Sequence, residues 1–146
     1  QDEIKNVKNA RIVAMVSVSS NTQSATAGAR KLLEENPQIN LLVGFNEWST
    51  LGVGMAIKEL GLKDRVCAIG FDNNTECVGM LETGELDTLI VQNPFSMGYL
   101  AVMNAANILS GKKTESVIKT DVYVVDRSNM FSADVQKILF GFDKYD

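Results

Sequence analysis

The polar residues of this chain that could do chemistry sit in four short tracts, each directly after an apolar one. Ser19-Ser20-Asn21 follows Arg11–Val18, and Asn46-Glu47-Trp48 follows Ile39–Phe45. Asp72-Asn73-Asn74 follows Val66–Phe71, and Gln92-Asn93-Pro94 follows Thr88–Val91. Asn and Gln each carry a donor and an acceptor, whereas an ionised Asp only accepts. A polyol presents hydroxyls that both donate and accept. A ring of Asn46, Asp72 and Gln92, with Ser20 and Asn21, can therefore satisfy a polyol without moving a proton. Trp48 would add an apolar face for the C–H side of a pyranose, or pack in the core, or meet another lobe. The same residue types are common helix caps and turn formers. Gln92 fits that second role least, because Gln caps poorly.

Catalysis has little to work with. Histidine is absent from the 146 residues. That excludes Ser-His-Asp and Cys-His nucleophiles and any His-ligated zinc. Cys67 and Cys77 form no CxxC, so they are read as free, partly buried thiols rather than a zinc site or a disulfide framework. Gly52-x-Gly54 lies inside a predicted helix and lacks the third glycine of a dinucleotide fingerprint, which points to a close helix–sheet contact. Glu47 and Asp72 are carboxylates that could act as an acid–base pair, but no nucleophile motif stands with them. No cofactor, metal or catalytic residue is expected. The net charge of −4 argues against direct nucleic-acid binding, which needs clustered Lys and Arg.

These tracts need elements to hold them. The length suits one domain, and 45% apolar residues suffice for one packed core. Strands are predicted at Arg11–Val18, Ile39–Phe45, Val66–Phe71, Thr88–Val91 and Lys119–Val125. Helices are predicted at Thr22–Glu35, Ser49–Leu60, Asn74–Thr83, Pro94–Ser110 and Ser132–Phe140, with Gly61, Gly84 and Gly111 as stops. Ile39–Phe45 is apolar almost throughout, as a strand covered on both faces should be. Repeated strand–helix alternation means an α/β sheet with right-handed crossovers. In such sheets ligands bind outside the carboxyl ends of the strands. All four polar tracts fall there.

Three ordered motifs then resemble a known family. Gly44-Phe-Asn-Glu-Trp-Ser-Thr-Leu-Gly52 is followed by Ala68-Ile-Gly-Phe-Asp72, and then by Gly84–Pro94 with Met97-Gly98-Tyr99. Over about residues 10–131 the chain is similar to the C-terminal lobe of periplasmic sugar-binding proteins of the ribose-binding type. The resemblance implies an α/β three-layer sandwich with a mostly parallel sheet, one incomplete lobe of a type I periplasmic binding protein. It implies a bilobal protein that closes on a monosaccharide and delivers it to the permease of an ABC importer. It assigns sugar hydroxyls to Asn46, Asp72 and Gln92. Three positions depart from the family: Ser20 and Asn21 stand where it often has an aromatic residue and an Asp, and Trp48 stands where it usually has a smaller or aliphatic residue.

The alternative reading is a sensing component: an extracellular sugar sensor for a histidine kinase, or the effector lobe of a lactose-repressor-type regulator. An extracytoplasmic location is expected, in the periplasm or tethered at the outer cell surface. The resemblance matches Asp2–Lys8 to the end of a helix whose preceding strand and ligand-binding Arg lie upstream of Gln1. On that reading the first strand of the lobe and the whole N-terminal lobe come from upstream sequence or a separate polypeptide. That strand is central, so its absence leaves two unpaired backbone rows, which invite association. These 146 residues alone are expected not to form a stable monomer, and sedimentation of the isolated chain tests this. A cooperative, sugar-binding monomer would show that the start of the lobe has been misplaced.

Overall fold

The computed structural model describes residues 7–140. The polar residues that end each strand also start the next helix. Asn21 Oδ1 accepts from Ser24 N–H at 2.8 Å, opening α1 at Thr22–Glu35. Asn46 and Ser49 form a reciprocal capping box that opens α2 at Glu47–Leu60, and left-handed Gly61 closes it. Asn74 caps α3 at Thr75–Thr83, closed by left-handed Gly84. Asn93 caps α4 at Pro94–Leu109, with Pro94 in the first turn. A last helix, α5, spans Ala133–Phe140.

The sheet has four strands in the order β1 (Leu41–Val43), β2 (Cys67–Phe71), β3 (Thr88–Gln92), β4 (Val122–Asp126). β1, β2 and β3 are parallel, and β4 runs antiparallel beside β3. Alternate residues Leu42, Ala68, Leu89, Val91 and Val125 face one core. Ala29 and Leu33 of α1, Leu51, Ala56 and Ile57 of α2, Leu81 of α3 and Leu139 of α5 pack against them. The opposite face is half open. Leu41, Val122 and Val124 are exposed there, and α4 buries none of its residues.

Two expectations need correction. Arg11–Val18 is not a strand of this sheet: Ile12, Met15 and Val16 are exposed, and only Val13 reaches the core. The four strands of the sheet do not include this segment. β1 is also shorter than the apolar run that suggested it. The helix end expected at Asp2–Lys8 falls mostly outside the described residues.

Gly52 and Gly54 mark close approaches between helices rather than between helix and sheet. A Cβ on Gly52 would meet Ala25 and, at 2.7 Å, the Thr26 backbone nitrogen of α1, while one on Gly54 would meet the Met80 side chain of α3. Both cysteines are free; Cys67 is exposed and Cys77 buried.

The tight α1–α2 contact predicts the sign of two matched substitutions. Gly52→Ala drives a methyl group into helix backbone and should destabilise by about 1–3 kcal/mol. Gly79→Ala in α3 meets nothing within 4 Å and should stabilise by about 0.4–1 kcal/mol. Urea unfolding of both variants checks this, and equal effects would mean that the helices separate freely.

Candidate ligand-binding site

Because β1, β2 and β3 are parallel neighbours, their carboxyl ends lie on one edge. Asn46 follows β1, Asp72 follows β2, and Gln92 is the last residue of β3. Ser20 and Asn21 reach the same end by another route. Ala25 meets Gly52, Thr26 Oγ1 approaches Met55 Sδ at 3.7 Å, and Arg30 approaches Glu59 at 3.9 Å. Those pairs set α1 parallel to α2, so their N-termini share an end.

Most of the edge is spent on helix starts. Asn21, Asn46, Asn74 and Asn93 each use Oδ1 to accept a backbone N–H of the following helix. The capping role weighed for these tracts thus holds for four asparagines. Asn46 is exposed, and its amide nitrogen remains to donate to a ligand. Ser20 is exposed in a bend beside the Asn21 cap.

Asp72 and Gln92 differ. Neither caps a helix, both are half-buried, and Gln92 Nε2 donates to Asp72 Oδ1 at 3.1 Å. Asp72 has a left-handed backbone, φ +71°, a conformation that few residues besides Gly, Asn and Asp adopt. Asp72 N–H donates to Ile90 O at 3.1 Å, which carries the sheet pairing one residue past β2. The fully buried Thr50 hydroxyl accepts from Phe71 N–H at 2.8 Å and donates to Phe71 O at 3.1 Å. That contact fixes the first turn of α2 to the residue before Asp72.

Sequence reasoning missed three features of the edge. Phe45 and Phe71 pair at 6.0 Å between ring centroids, tilted by 36°, and Phe45 is 75% exposed. An aromatic residue just before the Asn46 cap was the available signal. Asn74 Nδ2 donates to Glu47 Oε1 at 2.9 Å, joining two polar tracts. Asn73 Nδ2 donates to Leu139 O at 2.8 Å, far along the chain. Trp48 is exposed, which removes the core placement considered for it.

The edge is electronegative. Beneath it the Cys77 thiol is pushed up to about 12, first by burial and then by the carboxylates of Glu47, Asp72 and Glu76. The four tracts contain no Lys or Arg. Such an edge suits a neutral hydroxylated ligand and opposes a phosphate or carboxylate. Among the described residues no group of three or more His, Cys, Asp or Glu is placed to hold a metal.

Comparison with known proteins agrees with this architecture. Residues 1–113 match the sequence profile of the periplasmic binding protein domain. A ribose import binding protein of Haemophilus influenzae is 31% identical over 94 residues, covering 64% of this chain and 32% of that protein. The chain thus spans about a third of the length of the curated relatives it matches. A solved carbohydrate-transporter solute-binding protein of Agrobacterium radiobacter, in complex with D-arabinose, superposes with TM-score 0.85 at 29% identity, covering 94% of this chain and 47% of that one. An Agrobacterium vitis solute-binding protein with bound D-fucose gives TM-score 0.84 at 30% identity, covering 95% and 48%. The matched profile covers most of the sequence, and these solved proteins share its fold: the chain belongs to the periplasmic binding protein domain family.

Proposed function

We propose that this chain is one lobe of an extracytoplasmic solute-binding protein that takes a neutral monosaccharide at the carboxyl edge of β1–β3 and hands it to an ABC importer. The observation that carries the reading is the Asp72–Gln92 pair. Four asparagines of the edge spend their acceptors on helix starts, whereas the Asp72 and Gln92 side chains pair with each other at 3.1 Å and with no other side chain among the described residues. Gln92 holds one oxygen of Asp72 and leaves the other to accept a hydroxyl. A sugar with adjacent hydroxyls can donate to Asp72 and accept from Gln92 and from Asn46 Nδ2. Trp48 and Phe45 offer exposed aromatic surface beside them, suited to the C–H face of a ring.

The sugars named with the related solute-binding proteins, a pentose and a 6-deoxyhexose among them, support a monosaccharide as the ligand class. An open edge supports half of a site. The other half then comes from a facing lobe, which also supplies the contacts that separate pentose from hexose. Among the described residues no helix is long and apolar enough to cross a membrane.

Two measurements on the intact protein test the proposal. Thermal shift against a monosaccharide panel should find one that stabilises by about 2.7 kcal/mol at 100 times its Kd. With that sugar, Asp72→Ala should weaken binding by about 1.5–3 kcal/mol or more, roughly ten- to more than hundredfold, because a charge-assisted hydrogen bond is lost. Wild-type affinity in the variant would reject Asp72 as a ligand.

Trp48, the single tryptophan of the chain, gives an optical test. Saturating sugar should shift its emission relative to a Trp48→Phe control. An unchanged spectrum, with binding established by calorimetry, would move Trp48 from the ligand to another contact.

A further inference from the structure

The left-handed backbone of Asp72 needs neighbours that hold it, since a residue in a sparsely populated conformation persists only when its surroundings over-determine it. The three consecutive residues 72–74 reach three different elements. Asp72 receives Gln92 Nε2 from the end of β3. Asn74 caps α3 with Oδ1 and donates Nδ2 to Glu47 at the start of α2. Asn73 does neither. Its Nδ2 donates to Leu139 O at 2.8 Å and more weakly to Ile138 O at 3.3 Å. Those oxygens belong to α5.

α5 is a firm anchor. Leu139 is 3% exposed, and Val135 and Ile138 lean on the same core. Gln136 Nε2 donates to Met130 O at 2.7 Å and holds the helix to the turn before it. A side chain that caps nothing in its own element spans 66 residues of sequence to reach this helix. It is adjacent to Asp72, which caps no helix and pairs with Gln92.

We propose that Asn73 is a positioning residue: it clamps the Asp72 loop to α5 at Ile138 and Leu139, so that the docking of α5 fixes the angle at which Asp72 meets its ligand. The proposal rests on the sugar-binding reading above. It adds that sugar affinity and the seating of the last helix are coupled through one amide group. Asn73 touches no ligand in this scheme and acts only through its neighbour.

The test uses Asn73→Ala in the intact protein, with D-ribose, D-allose, D-arabinose and D-fucose as probes. Calorimetry should show a loss of roughly tenfold or more for whichever of them the wild type binds, the scale expected when a positioned group is loosened. Amide exchange at residues 72–74 and 138–140 should accelerate by about tenfold without ligand, with global unfolding little changed, as local opening predicts. Asn73→Ser keeps a donor on a shorter arm; it should fall between the two and stands in for Asn73→Ala if that variant does not fold. Unchanged affinity overturns the proposal whether or not exchange accelerates, because the clamp then sets nothing the ligand uses. A wild type that binds none of the four overturns the sugar reading for these probes instead. In that case the exchange rates alone decide whether Asn73 holds the loop, and unchanged rates reject it.

Discussion

The edge is organised by a buried hydroxyl. β1 ends at Val43, and Gly44 N–H gives the last bond from that side, to Ile69 O at 2.9 Å. One step further, the N–H and C=O of Phe71 point to where β1 no longer runs. Left bare in the core, each would cost on the order of 1–3 kcal/mol. Thr50 takes both with one hydroxyl, as donor and as acceptor. It can do so only because Gly70 has no side chain, for a Cβ there would run into Thr50 Cγ2. Gly70 and Thr50 thus form one device. It lets β2 run past its neighbour, and so lets Asp72 emerge beyond the sheet, bonded to Ile90 on its other side.

The local parts of this arrangement are legible in the sequence because they depend on nearby residues. Asn21, Asn74 and Asn93 stand before their helices, and Gly61 and Gly84 stand after theirs; each is a short-range geometric requirement. Boundaries shift where one residue has two roles. Ser49 reads as a helix start, but it is the third residue of α2, and its hydroxyl returns to the Asn46 N–H at 3.0 Å. Gln92 reads as a loop residue, but it pairs with Val122 as the last rung of β3. The alternating polar pattern could not reveal this, because the rung is supplied by a strand thirty positions downstream.

What could not be read depends on distant neighbours. Arg11–Val18 has the composition of a strand, but strand formation belongs to a pair and not to a segment. It stays outside the sheet, with its Val16 and Val18 side chains lying against Gly28 of α1. The positive φ of Asp72 has no sequence mark, because Asp tolerates both hands of backbone. The Asn73 contact with Leu139 had no local signal either, since Asn after Asp reads as an ordinary turn.

The distribution of exposed apolar surface follows the same logic. The side of the sheet that holds Leu42, Ala68, Leu89 and Val91 is sealed by α1, α2, α3 and α5, and the N-terminal caps of α1, α2 and α3 lead to the candidate edge. The other side keeps Leu41, Val122 and Val124 in the open, and α4 presents Phe95, Tyr99, Val102 and Leu109. A single exposed Leu is ordinary, but several apolar residues on one sheet face and along one helix are not. The chain therefore divides its stabilisation unevenly. The sealed side holds Thr50, Gly70 and Asp72 in place through packed helices, so the candidate edge is rigid without help from the open side. Contacts made later on the open face or across the edge can then change what the protein meets without rebuilding the groups that meet it.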